Sequence, residues 1–208
     1  MRYPGRPVGK AWYRLDFMAW SLFLVGVGSL LFHATLLQTC QYSDDLSMFL
    51  LAAALLQALY TFNQTNTLSH VISTVIALSI GGISVLYVQS GSLLFHSTAF
   101  ATFLTFIWPR TLYLVYQTNR PQREVSRLIR RFWRAVAVLL VGFIIWNVDL
   151  EYCFPLRNMR RKLGLPWAWL LEGHGWWHIL TAAGASEYIK LTRELTRMLS
   201  LVVFIDSD

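Results

Sequence analysis

Two histidines four positions apart, His174 and His178, lie in an aromatic part of an otherwise apolar stretch. On a helix, residues at i and i+4 lie on the same face, so two imidazoles with this spacing can bind one metal ion. Two core histidines beside aromatic residues are the alternative interpretation. Ionisable residues are costly in a membrane-like segment and usually functional there, which favours a metal site. Because two ligands leave a metal incompletely coordinated, the rest of the chain must supply more.

The composition of the chain is that of an integral membrane protein. Of its 208 residues, 55% are hydrophobic and only 14% are charged, whereas a soluble domain carries about 25% charged residues. The net charge of +7 suits nucleic acid or anionic lipid. Because the arginines flank apolar runs, we expect lipid and no nucleic-acid partner, and no protein partner is evident. Two cysteines, Cys40 and Cys153, are too few for a disulfide framework, although they could pair with each other.

Apolar runs predict an all-α fold, a polytopic integral membrane helical bundle that forms a single domain over residues 1–208. Residues 1–16 form a basic lead whose prolines and glycines argue against a helix at its start. The fourth predicted span is interrupted at Pro109. The six predicted spans cover residues 17–37, 46–62, 68–88, 93–116, 132–150 and 167–189.

Lysines and arginines are unevenly distributed between the two sides of the predicted bundle. With the N-terminal lead in the cytosol, the cytosolic segments hold thirteen of these residues. The opposite side holds four, all in the link between the fifth and sixth spans. The positive-inside rule therefore predicts that both the N-terminal lead and the C-terminus are cytosolic.

This topology brings separated titratable residues to one membrane level on the outer side. They come from the ends of the first and fifth spans and from the starts of the second and sixth. Three neutral imidazoles are a known set of zinc ligands that leaves a fourth position for water. We therefore expect a zinc site built from the three histidines of this group. The residues predicted to converge are His33, Asp44, Asp45, Asp149, His174 and His178.

Two further side chains at that level suit the chemistry of zinc and water. Ser29 lies one turn before His33, so its hydroxyl can donate a hydrogen bond to a developing oxyanion, or bond to a carbonyl of its own helix. Asp44 can accept the proton of a zinc-bound water, or cap the second span. Asp45 is predicted to act only as a cap, so Asp45→Asn is expected to be nearly silent.

A short repeat raises one more candidate ligand. Residues 91–96 repeat the sequence Gly-Ser-Leu-Leu-Phe-His of residues 28–33, which places His96 on the outer half of the bundle. The flanking residues do not match, so we interpret the repeat as chance and keep His96 as a reserve ligand. His70 starts the third span on the inner side, and the topology excludes it.

Several motifs, in order, resemble those of the alkaline ceramidase family. They lie at residues 29–36, 44–48, 146–153 and 172–181, within a resemblance that covers about residues 24–189. The resemblance implies a seven-helix integral membrane amidase of the endoplasmic reticulum or Golgi, with zinc held by His33, His174 and His178 toward the lumen. It also implies that zinc-bound water, aided by Ser29 and Asp44, hydrolyses ceramide to a sphingoid base and a fatty acid. Ceramide and membrane lipid are then the expected partners.

The chain departs from the family pattern at its N-terminal end. Its six spans correspond to the family's second to seventh helices, and we expect an N-terminally truncated member. The family's acidic segment, which binds Ca²⁺, has no counterpart here, so calcium is expected to have little effect and activity to be low. A catalytically inactive zinc-binding receptor or scaffold is the alternative function, and a proton-coupled transporter or channel is a third.

Overall fold

The structure is a computed structural model that describes residues 16–117 and 120–205, with side chains described as far as residue 196. Nearly all of the predicted basic lead lies outside the described residues. The described residues form helices and no strand, which confirms the all-α prediction. The helices are α1 (Phe17–Thr35), α2 (Gln38–Tyr60), α3 (Asn66–Ser90), α4 (Leu93–Gln117), α5 (Gln122–Glu151), α6 (Cys153–Leu163), the 3₁₀ helix η1 (Trp167–Leu171) and α7 (Gly173–Ile205).

Polar and basic stretches that were predicted as links are helical. α2 begins at Gln38 rather than at residue 46, and α5 begins at Gln122 rather than at residue 132. The predicted link between the last two spans contains α6. Arginine, lysine and glutamine are good helix formers, so charge marks the edge of an apolar run and not the end of a helix. The predicted interruption of the fourth span is also wrong, because Pro109 lies within a continuous α4.

Two of the described helices, α1 and α3, are long and apolar enough to cross a membrane. The other long helices in the described part of the chain do not pass this test of length and hydropathy, so six spans are not confirmed. Large apolar side chains nevertheless cover much of the outer surface, among them Leu30, Leu78 and Leu94, each at least 70% exposed. An exposed apolar surface of this extent is typical of a protein that contacts lipid or another protein.

The central helix is α2, which contacts α1, α3, α4 and α7. Phe49 and Leu59 on this helix are fully buried, and the alanines at 52–54 are nearly so. Small side chains let neighbouring helices approach closely, which is how helices pack when lipid replaces water around them.

Two pairs of helices make the most extensive contacts: α1 with α2, and α5 with α7. We call them the α1–α2 pair and the α5–α7 pair. Glycines bring the members of each pair together. A Cβ atom on Gly28 would lie 3.0 Å from the Cα of Asp44, and one on Gly184 would lie 2.7 Å from the Cγ of Leu139. The two pairs meet where α1 and α7 run side by side, and Arg193 of α7 there donates two hydrogen bonds to Asp16, the N-cap of α1.

Candidate metal centre

Three histidines from the two helix pairs lie together at one end of the bundle. Nε2 of His33 lies 2.9 Å from Nε2 of His178 and 3.3 Å from Nε2 of His174, and the last two atoms are 3.0 Å apart. The rings meet edge-on, with interplanar angles of 69°, 78° and 77°. His33 is exposed and the other two are half-buried. The predicted convergence of these three residues is therefore present, and the cluster opens to the surface on one side.

The three Nε2 atoms cannot all be satisfied by hydrogen bonds to one another. Each neutral imidazole nitrogen is either a donor or an acceptor. Among three mutually close atoms at least two must be alike, so at least one contact sets donor against donor or acceptor against acceptor. A cation between them removes this conflict, because all three nitrogens can then present lone pairs.

The spacing of the three nitrogens fits zinc. Two ligands about 2.0–2.1 Å from one zinc ion at the tetrahedral angle lie about 3.3–3.4 Å apart. The separations in the cluster range from 2.9 to 3.3 Å, so small shifts of the side chains suffice. The separations of the three histidine nitrogens are therefore compatible with a zinc ion bound between them.

The start of α7 is packed tightly against α5, and this packing positions two of the three histidines. Gly173 is the first residue of α7, and a Cβ atom there would lie 2.7 Å from the Cβ of Asp149. Trp177 stacks on Trp146 with ring centroids 5.7 Å apart. It also covers Gly142, where a Cβ atom would lie 3.3 Å from the indole ring. His174 and His178 lie on these same turns and contact His33 of α1.

Ser29 lies beside His178, a contact that the sequence did not predict. Its Oγ is 3.3 Å from Nδ1 of His178. When His178 presents the Nε2 lone pair to a metal, Nδ1 carries the proton and donates it to the Ser29 oxygen. The hydroxyl proton of Ser29 then stays available, and Asp44 is close by, since a Cβ atom on the preceding Gly28 would lie 3.0 Å from the Asp44 Cα.

Asp44 and Asp45 lie about two turns inside α2. The N-cap of this helix is Leu37, and no side chain caps it. The prediction that Asp45 is a helix cap is therefore wrong. Its carboxylate accepts a hydrogen bond from the Tyr87 hydroxyl of α3 and is largely buried. Asp45 thus holds α3 against the central helix, at the position next to Asp44.

The reserve ligand His96 lies beside Asp45 and Tyr87 and not among the three histidines. It is 5% exposed, stacks on Phe49, and its Nε2 lies 3.3 Å from the main-chain oxygen of Asp45. The repeat that suggested it adopts two structures: Gly28 lies inside α1, whereas Gly91 ends α3 with a φ of 60°. The repeat therefore gives no sign of duplication. Cys40 and Cys153 are both free.

The close approach of α1 and α2 at Ser29 can be tested by adding one methyl group. We expect Gly28→Ala to destabilise the protein by about 1–3 kcal/mol. The reason is that the new Cβ would meet the Asp44 and Ser43 backbones at 3.0–3.1 Å. Gly26→Ala is the matched control, because nothing lies within 4 Å of that position, and alanine favours a helix. Thermal unfolding in detergent measures both, and equal stability of the two variants would contradict the close approach.

Comparisons with known proteins point to one family. The chain matches the sequence model of the family Ceramidase over residues 6–200. It is 31% identical to alkaline ceramidase YPC1 of Saccharomyces cerevisiae over 193 residues, which cover 86% of this chain and 61% of the yeast protein. It is 26% identical to alkaline ceramidase 3 of Mus musculus over 171 residues, 81% of this chain and 61% of the mouse protein. The chain thus spans about three fifths of the length of these two relatives.

Proposed function

The chain belongs to the ceramidase family, and from this premise we propose that it is a zinc-dependent amidase that hydrolyses ceramide to a sphingoid base and a fatty acid. One observation carries the proposal: three imidazole nitrogens from two helix pairs lie 2.9–3.3 Å apart, with Ser29 beside them. The alkaline ceramidases to which the chain is similar indicate the substrate.

His33, His174 and His178 would hold the zinc through their Nε2 atoms. A bound zinc ion supplies a Lewis acid that polarises the amide carbonyl and makes water more acidic. Ser29 fixes the tautomer of His178 by accepting the Nδ1 hydrogen, so that Nε2 keeps its lone pair. The exposed position of His33 leaves one side of the cluster open to substrate and water.

Asp44 and Ser29 carry the proton transfer and the stabilisation of charge in this mechanism. As water attacks the carbonyl carbon, a carboxylate oxygen of Asp44 accepts its proton. Asp44 then delivers that proton to the nitrogen as the C–N bond breaks, which releases the amine and leaves a carboxylic acid. The Ser29 hydroxyl, whose oxygen lies 3.3 Å from Nδ1 of His178, donates its hydrogen to the carbonyl oxygen while negative charge develops there.

The site would work within a membrane of the endoplasmic reticulum or Golgi. The apolar helices α1 and α3 and the exposed apolar surface support a membrane-spanning bundle. A substrate with two long hydrocarbon chains could then reach the histidines without leaving the bilayer. The distribution of lysine and arginine supports a cytosolic C-terminus and a lumenal metal centre.

This orientation predicts which loops are modified in cells. A spacer that carries an N-glycosylation acceptor, inserted between α4 and α5, should stay unmodified, because that loop lies among the thirteen lysines and arginines predicted to be cytosolic. The same spacer inserted at Gly164, between α6 and η1, should be glycosylated. A mobility shift on an immunoblot reports both. Glycosylation of the α4–α5 loop alone would show that the orientation is the opposite of the one proposed.

The proposed reaction is tested by removing and restoring the metal. We expect purified protein in lipid-containing micelles to hold about one zinc ion per chain, as a single three-histidine centre requires, and to hydrolyse a fluorescent ceramide. Chelation should abolish the hydrolysis, zinc should restore it, and Mg²⁺ should not, since Mg²⁺ prefers oxygen ligands. Undiminished turnover without metal would refute the zinc amidase. One bound zinc without turnover would favour the receptor or scaffold instead.

A further inference from the structure

Arg160 of α6 lies between two carboxylates that flank the start of α7. Its Nη2 donates a hydrogen bond to Oδ1 of Asp149 at 2.8 Å, and its Nη1 donates to Oε2 of Glu172 at 3.0 Å. The Arg160 and Asp149 side chains are only 18% and 16% exposed, whereas Glu172 is 52% exposed. One guanidinium therefore joins the end of α5, helix α6 and the residue that precedes α7.

Both acidic residues adjoin Gly173. Glu172 is its neighbour in the chain, and Asp149 packs directly against it. A Cβ atom on Gly173 would lie 2.7 Å from the Cβ of Asp149 and 3.1 Å from the main-chain oxygen of Ile145. The next residue in the chain is His174, and His178 follows one turn later. Whatever fixes Gly173 against α5 thus also fixes both histidines of α7.

An arginine is the side chain suited to this position. Its planar guanidinium presents several N–H groups in fixed directions, so it can hold two carboxylates at a set distance and angle. Without it, two negative charges would lie close together in a partly buried place and repel each other. The start of α7 would then lose its connection to α6 and part of its connection to α5.

We propose that Arg160 is a positioning residue for the metal centre: by holding Asp149 and Glu172 it sets the place of His174 and His178 relative to His33. It acts through the backbone at Gly173 and is not a ligand. Ligands must be held to within about 0.5 Å of their productive geometry, so a loosened start of α7 weakens metal binding before it unfolds the bundle. This inference rests on the proposed zinc site.

Arg160→Gln tests the proposal, because it keeps most of the side-chain length and removes the charge. We expect its zinc affinity, measured by competition with a chelator, to fall about tenfold or more, the range seen when groups that orient metal ligands are removed. The visible spectrum of bound Co²⁺, which reports the geometry of the ligands, should change as well. Arg161→Gln is the matched control: it makes the same charge change at the exposed next residue of α6. It should leave affinity and spectrum unchanged.

Two further variants separate positioning from folding. Arg160→Lys keeps the charge but not the planar fork, so it should restore only part of the affinity. Glu172→Ala removes the exposed hydrogen-bond partner and keeps the buried Asp149–Arg160 pair, so it should fold and weaken zinc binding severalfold. Thermal unfolding of the metal-free proteins monitors the fold.

The outcomes are distinct. A folded Arg160→Gln protein with the affinity and Co²⁺ spectrum of Arg161→Gln would overturn the inference. If Arg160→Gln does not fold, Glu172→Ala decides, and unchanged zinc binding in that variant overturns the inference. Undiminished zinc in His33→Ala would instead place the fault in the proposed metal site.

Discussion

Replacing His33 by alanine should remove zinc from the purified protein and abolish ceramide hydrolysis. His33 is the histidine that the α1–α2 pair contributes to the cluster, since the other two histidines come from α7. Without it the ion would keep two imidazoles on one helix and lose its connection to the other half of the site. We expect affinity to fall by more than the roughly 100-fold that losing an outer-shell partner can cost. Zinc per chain, by elemental analysis, and turnover of a fluorescent ceramide measure the effect.

Two other histidines serve as controls for this variant. His70 is exposed at the start of α3, and His70→Ala should match the unaltered protein. His96 is buried between Phe49 and Asp45, so His96→Ala should lower thermal stability but keep zinc. Zinc lost from His96→Ala and retained in His33→Ala would transfer the ligand role to His96.

Asp44→Asn should retain zinc and lower ceramide hydrolysis by about 10²–10⁴-fold, the usual cost of losing a general base. Asparagine keeps the shape of the side chain and an oxygen that can accept from Ser29, but it cannot take a proton from water. Zinc content and turnover, measured on the same preparation, separate this loss from loss of metal. Full turnover in Asp44→Asn would exclude it as the base.

Neighbouring substitutions sharpen this result. Ser29→Ala should cost about 10²–10³-fold in turnover at saturating zinc through the lost oxyanion donor. Because Ser29 also contacts Nδ1 of His178, it should in addition weaken zinc binding, which Asp44→Asn should not. Asp45→Asn should keep turnover and lose stability, since a charge-assisted bond to Tyr87 is weakened. If Asp45→Asn instead abolishes turnover while Asp44→Asn is active, Asp45 is the base.

Local patterns in the sequence were sufficient to predict the bounds of three helices. The predicted bounds of the first, third and fourth spans lie within two residues of α1, α3 and α4 at each end. The i, i+4 spacing of His174 and His178 is also local, and alternation of helix direction across the predicted membrane brings His33 to the same end. The approach of these three histidines could therefore be predicted without coordinates.

Contacts between helices decided what the sequence could not predict. Asp45 is an aspartate between a polar link and an apolar run, the usual place of a helix cap. Only its contact with Tyr87, 42 residues away, shows that it joins two helices. The side-chain partner of Ser29 is 149 residues away. Arg160 resembles the other basic residues of its link until Asp149 and Glu172 are placed around it. Polarity predicts that such residues avoid lipid, but it does not identify the partner they find.

The division of the bundle into two helix pairs has a consequence for the abundance of the protein in cells. His33 and His174 are 141 residues apart in the chain and belong to different pairs, so a zinc ion shared between them would act as a reversible cross-link of the native state. Zinc at about 100 times its dissociation constant would add about 2.7 kcal/mol to the free energy of unfolding. Differences of about 1–2 kcal/mol change the steady-state amount of a protein severalfold, because quality control removes unfolded chains. Zinc depletion of a compartment would therefore lower the amount of the protein there, in addition to lowering the activity of each molecule.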